Sequence, residues 1–231
     1  PGTVTGHALH DLRRAGVNRL SLGMQSAVPD ELRLFGRQHT LDNVRHAVDA
    51  ARQTGFMSIN LDLIYGIPGQ TLAAWQHSLE TALSTAPDHI SLYSLSVENG
   101  TPLSRWIDRG HIAPPDPDLA ADMYDWASER LPSSGLEQYE ISNWAKPGAA
   151  CRHNIHVWQN KPYLGFGAGA HGFANHTRYA NILHPAAYVA HLRAPTTSRP
   201  FPCSAAAEVR EPIDQHAEMA ETMMLGLRLT Q

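Results

Sequence analysis

The chain has 231 residues, one large domain or one and a half at roughly 150 residues per domain. Hydrophobic residues make up 42% and charged residues 17%, the balance of a globular chain rather than a disordered one. A net charge of −4 without a basic stripe excludes a broad nucleic-acid-binding face, and no run approaches the ~18 consecutive apolar residues of a membrane-spanning helix.

Residues 7–15 have a helical pattern. Leu20, Leu22 and Met24 then alternate with Ser21 and Gly23 as a short strand. Thr40 caps a predicted helix whose buried side is Leu41, Val44, Val48 and Ala51, and Gly55 ends it. The run Ile59–Tyr65 predicts a second buried strand. Thr71 caps a helix with Leu72, Trp75, Leu79 and Leu83 on one face, and Ile90–Leu95 predicts a third strand. The strand starts fall about 40 and about 31 residues apart, the size of one βα unit in a barrel whose eight units take ~250 residues. Alternating strands and helices imply a parallel sheet covered by helices. Three units cannot close a barrel, so further units are expected ahead of Pro1. A three-layer open sheet is the structural alternative.

Past residue 110 the pattern changes. Asp116 caps a helix that carries Pro117 at its first position and buries Leu119, Met123, Trp126 and Leu131. A strand at Gln138–Ile141, a glycine-rich region at 165–172 and a Pro/Ala-rich loop at 185–206 follow. The segment from Glu208 reads as the start of a helical region. Three parts are expected: 1–110, a partial barrel; 111–190, its extension; and 191–231, a linker and the beginning of a helical domain. Cys151 and Cys203 are too few for a disulfide framework or a four-cysteine metal site, and a reduced, cytoplasmic chain is expected.

Three polar side chains stand at strand ends, where parallel α/β barrels place their ligands: Gln25, Arg37 and Asp62. Asp62 lies inside an apolar run, where an ionised carboxylate is costly without partners. It only accepts hydrogen bonds, so ribose hydroxyls suit it; an arginine or loop amides would satisfy it instead. Arg37 suits a ligand carboxylate through bidentate pairing, or a surface ion pair. Gly165–Gly172 lacks the βαβ context of a dinucleotide site. Cys151, His153 and His156 have a spacing open to a metal or haem, but no second cysteine stands near.

Several segments resemble one family. Gly16–Ser26, Gly36–Thr40 and Asn60–Thr71 are similar to the fourth- and fifth-strand segments of coproporphyrinogen-oxidase-like radical S-adenosylmethionine (SAM) proteins. Glu137–Gly148, followed by Cys151–Asn154, resembles the HemW branch of haem chaperones within that family. The resemblance implies the latter part of a (β/α)6-type, TIM-like barrel, followed by extra strands and the start of a helical region. It implies SAM contacts at Gln25 and Asp62 (ribose hydroxyls), Arg37 (methionine carboxylate) and Ser96 (backbone). It implies haem at His153, which opens His153-Asn154-Ile155-His156-Val157-Trp158; Val157 stands where the family has tyrosine. A [4Fe–4S] cluster is implied too, its Cys-x3-Cys-x2-Cys ligands expected upstream of Pro1, and no metal ligands are expected within these residues. The implied function is haem binding and transfer to acceptor proteins, with membrane association only peripheral, through an acceptor. The alternative is oxidative decarboxylation of coproporphyrinogen III.

Overall fold

The computed structural model describes residue 2, residues 4–194 and residues 199–230. By contacts the chain falls into two compact units, 1–150 and 151–231.

In the first unit, α1 (Gly6–Arg14) leads into β1 (Arg19–Gln25). The short α2 (Pro29–Leu34) and α3 (Leu41–Gln53) lead to β2 (Ser58–Tyr65); α4 (Leu72–Leu83) leads to β3 (His89–Ser94). α5 (Pro102–Asp108) and α6 (Pro117–Arg130) precede a hairpin of β4 (Glu137–Glu140) and β5 (Asn143–Ala145). The strands form one mixed sheet in the order β1-β2-β3-β5-β4. β1, β2 and β3 run parallel, and β5 is antiparallel to β3. The expected α/β layering is present, and β4 and β5 join the same sheet although they lie beyond residue 110.

The caps behave as their side chains dictate. Thr40 and Asn43 form a reciprocal capping box, Thr71 accepts from the Ala74 N–H, and Asp116 accepts from the N–H groups of Asp118 and Leu119. Alternation along the strands separates two faces. Leu22, Met24, Ile59, Leu61, Leu63, Ile90 and Leu92 are buried and form one core with Val48, Trp75, Leu79, Met123 and Trp144. The Trp75 indole N–H donates to the Met123 carbonyl at 2.9 Å, tying α4 to α6. The other face carries Ser21, Asn60, Asp62, His89 and Ser91. At the strand starts, Asp88 accepts from the Ile59 N–H (3.0 Å) and pairs with Arg52 (2.6 Å) and Lys146. Burial opposes its charge, but Arg52, the Ile59 amide and Lys146 together hold its carboxyl below the usual range. That end of the sheet is a structural latch.

The second unit pairs β6 (His171–Ala174), β7 (Thr177–Asn181) and β8 (Ala207–Pro212) as an antiparallel sheet in that order. The β6–β7 turn is Asn175-His176, both at positive φ (49° and 52°), as a type I′ hairpin requires. α7 (Arg152–Trp158) contacts α9 (Gln215–Gly226), and α8 (Pro185–Arg193) lies between β7 and β8 in sequence. Two expectations are corrected here. The loop expected at 185–206 begins as a helix, because Pro185 occupies its first position, where a missing N–H costs nothing. Residues 195–198 of that loop lie outside the described residues. The helix expected from Glu208 is preceded by β8, whose Thr177↔Pro212 to Asn181↔Ala207 pairing satisfies a mostly exposed backbone. No described helix is long and apolar enough to cross a membrane.

Candidate functional site

The carboxyl ends of β1, β2 and β3 lie side by side, and the first four expected ligand residues belong to these ends or to the loops after them. Asp62 sits in β2, paired in register with Gly23 of β1. The next pair is Gln25 with Leu63, so β1 spends two residues where β2 spends one, which is a β-bulge. The Gln25 side chain folds back over Gly23. A Cβ built on Gly23 would stand 2.6 Å from the Gln25 amide nitrogen. Glycine at 23, the residue paired with Asp62, therefore makes the room that the Gln25 amide occupies.

Gln25 has φ 67°, a left-handed conformation that is costly for a residue with a Cβ. The Ser26 N–H donates to the Met24 carbonyl at 2.9 Å, closing a three-residue γ-turn with Gln25 at its centre. The same carbonyl faces His39 Nε2 at 3.1 Å, which fastens residues 36–40 to the end of β1. Burial, more than the nearby Arg37, holds the His39 imidazole below its ordinary pKa, so it is the neutral ring that donates here. Arg37 is exposed on that loop, its N–H bonded to the Leu32 carbonyl. A direct consequence concerns backbone strain. Gln25→Gly is expected to be more stable than Gln25→Ala by about 1 kcal/mol, because only glycine adopts this φ freely. Urea melts of the two variants check it, and equal stability would remove the strain from the account.

Asp62 is half-buried and well partnered. Its two oxygens accept from the Ser21 hydroxyl (2.9 Å) and the Asn60 amide (2.7 Å). A carboxylate offers about four lone-pair sites, so two remain for a ligand. Ser96 is exposed in the loop after β3, where the Leu95 N–H extends the sheet by donating to the Tyr65 carbonyl. Behind the strand ends, the buried Glu31 carboxylate accepts from Ser26 (2.5 Å) and Gln70 (3.0 Å), joining the loop after β1 to the loop after β2. A cleft of about 430 Å³ beside these loops is lined by Glu31, Ile67, Pro68 and Gln70 but not by Gln25, Arg37 or Asp62.

The structure places Gln25 and Asp62 on neighbouring strands, one register step apart, and holds the Arg37 loop against the same end of β1. The sequence reading missed Ser21, Asn60, His89 and Tyr139. A signal was present for one of them: Asn60 precedes Asp62 by two residues and so shares its face.

His153 belongs to the second unit and is exposed on α7. On the same helix, His156 Nε2 lies 2.7 Å from the Pro162 carbonyl, and the Arg228 guanidinium stacks on Trp158 at 4.3 Å. Among the described residues, no three His, Cys, Asp or Glu side chains come together as metal ligands. The glycine-rich region is explained by packing. Gly165 and Gly167 bond to Tyr179, Asn181 and Tyr188 within this unit.

Comparison with known proteins addresses the family and the fold. Residues 1–82 match the family described as the Radical SAM superfamily. The chain is 39% identical over 230 residues to the heme chaperone HemW of Bacillus subtilis (strain 168), covering 100% of this chain and 59% of that protein. It is 42% identical over 177 residues to heme chaperone HemW of Mycobacterium tuberculosis (strain ATCC 25618 / H37Rv), covering 77% of this chain and 45% of that one. Among solved structures, coproporphyrinogen III oxidase (HemN) from Escherichia coli, a radical SAM enzyme, superposes with a TM-score of 0.80 at 20% identity, over 98% of this chain and 53% of that chain. This last likeness is one of fold. The chain spans about half the length of the curated relatives it matches. The superfamily implies SAM and a [4Fe–4S] cluster as cofactors. The chain thus matches the radical SAM superfamily over residues 1–82, is similar along its length to HemW heme chaperones, and has a fold like that of HemN.

Proposed function

We propose that this chain is part of a haem chaperone that binds SAM at the strand ends of its first unit, binds haem, and passes haem to acceptor proteins. The observation that carries the reading is the match to heme chaperones along the whole chain. The donor set supports the SAM part. Asp62 retains two acceptor sites, which suits a vicinal diol. The Gln25 amide, folded over Gly23, both donates and accepts. Arg37 offers a planar, always-charged fork for the ligand's carboxylate. Ser96 would contribute its backbone. When bound in the longer protein, the cluster supplies the electron for radical SAM chemistry. Cys151 and Cys203 do not have its Cys-x3-Cys-x2-Cys spacing and do not hold that cluster.

On this reading His153 presents its imidazole to haem from α7. The alternative, decarboxylation of coproporphyrinogen III, draws only on the fold likeness to HemN, and a test separates the two. In the full-length protein, Asp62→Asn is expected to weaken S-adenosylhomocysteine binding by about 10- to 100-fold in calorimetry, the worth of one or two charge-assisted hydrogen bonds. His153→Ala is expected to alter the Soret band in a haem titration while leaving that binding unchanged. Wild-type protein that gives no Soret change, yet converts coproporphyrinogen III with SAM and reductant, would decide for the alternative.

A further inference from the structure

A line of hydrogen bonds crosses the polar face of the first sheet and ends on Asp62. Tyr139 on β4 meets His89 Nε2 at 2.8 Å. His89 Nδ1 lies 2.7 Å from the Asn60 amide oxygen. The Asn60 amide nitrogen donates to Asp62 and to the Ser21 hydroxyl, both at 2.7 Å, and that hydroxyl donates to the second Asp62 oxygen. Ser91 also donates to the Asn60 oxygen, at 3.2 Å. Asn60, His89 and Tyr139 are all buried.

The direction of every bond follows from one charge. A carboxylate only accepts, so Asn60 must turn its NH2 towards Asp62. Its oxygen then faces His89, so His89 must carry its proton on Nδ1. The imidazole stays neutral because burial, assisted by the Arg19 charge, pushes its pKa down to about 3. Its Nε2 is then an acceptor, and the Tyr139 hydroxyl donates to it. Each donor meets an acceptor from Tyr139 to Asp62, across strands far apart in sequence.

We propose that Tyr139, His89 and Asn60 are positioning residues that set the orientation of the Asp62 carboxylate and, through it, the protein's discrimination for the ribose hydroxyls of its nucleoside ligand. They touch no ligand; they act through Asp62. The proposal rests on the reading that Asp62 meets the ribose.

The test compares S-adenosylhomocysteine with its 2′-deoxy analogue by calorimetry on the full-length protein. A general loss of structure weakens both ligands alike, whereas loss of the relay erodes the preference between them. The wild type is expected to prefer the ribonucleoside by about 30-fold, and His89→Leu by less than about fivefold. His89→Asn keeps an N–H at the Nδ1 position and is expected to stay within about threefold of wild type. Tyr139→Phe removes only a hydroxyl and covers the case in which His89→Leu does not fold; it is expected to lower the preference to about tenfold. Side-chain nitrogen NMR gives an independent readout: His89 is expected to carry its proton on Nδ1 throughout pH 5–8. A proton on Nε2, or an unchanged preference in both His89→Leu and Tyr139→Phe, overturns the proposal. If Asp62→Ala keeps the wild-type preference, the ribose reading itself fails, and the claim about discrimination falls with it even where NMR finds the proton on Nδ1.

Discussion

Lowering the pH from 7 to 5 is expected to cost the first unit about 2 kcal/mol of stability through His89 alone. In the unfolded chain this imidazole titrates at its ordinary 6.5; in the fold, burial and the neighbouring Arg19 hold it near 3. Between those values the unfolded state binds a proton that the folded state refuses. Stability is therefore full above pH 6.5 and falls as pH drops from 6.5 towards 3, by ~1.4 kcal/mol for each pH unit. The carboxylates of Asp62 and Glu140 and the phenol of Tyr93 share this side of the sheet, yet His89 is fully buried and its two ring nitrogens are already engaged. Protonation would place a second N–H against Tyr139 and break the relay at that point. Urea melts at pH 7 and pH 5 measure the loss. His89→Asn cannot take up the charge, so its melts should differ less between the two pH values, by about 2 kcal/mol. Equal pH dependence in wild type and variant would show that His89 is not the group responsible.

The second large effect concerns Gly165→Ala, expected to destabilise the second unit by about 3 kcal/mol or more. Its added Cβ would fall on the His171 carbonyl, with the carbonyl carbon only 2.6 Å away. That carbonyl belongs to the first residue of β6, which pairs with Ala180 of β7, so moving it disturbs the hairpin. Relief by shifting Gly165 is also closed: its N–H bonds to the Tyr179 hydroxyl at 2.9 Å, and its carbonyl accepts from Asn181 at 3.2 Å. Hydrogen exchange distinguishes the outcome. Protection should be lost in β6 and β7 and kept in β1, β2 and β3. Retained protection at β6 would mean that the turn yields more cheaply than this geometry allows.

The parallel strands were legible because apolar residues alternate between glycine-marked turns, and their helices because Thr40, Thr71 and Asp116 announce the first turn. Asp62 was legible for a physical reason too: a carboxylate within Ile59–Tyr65 needs a purpose. What surrounds it was not. Asn60, His89 and Tyr139 gain their meaning only when β2, β3 and, beyond β5, β4 are assembled into one sheet, and nothing local in a histidine at a strand start specifies its tautomer. The Pro/Ala-rich composition from Pro185 reads as loop, although the first position of a helix is where proline fits. The polar sequence of β8 concealed an edge strand that alternation could not reveal. The γ-turn at Gln25 was also out of reach, since glutamine carries no signal of positive φ.

The bulge at the end of β1 bears on which changes in chain length this protein tolerates. Residues 23–26 adjoin a surface loop, where insertions and deletions are ordinarily absorbed. Here the extra residue of β1 is counted against β2: it sets Gly23 opposite Asp62 and Gln25 opposite Leu63. Deleting Met24 would cancel that count and swing the following side chain to the opposite face, since strand parity is two. In a library of single-residue deletions, positions 23–25 should therefore behave like the interior of the sheet, while positions only a few residues further on behave like a loop.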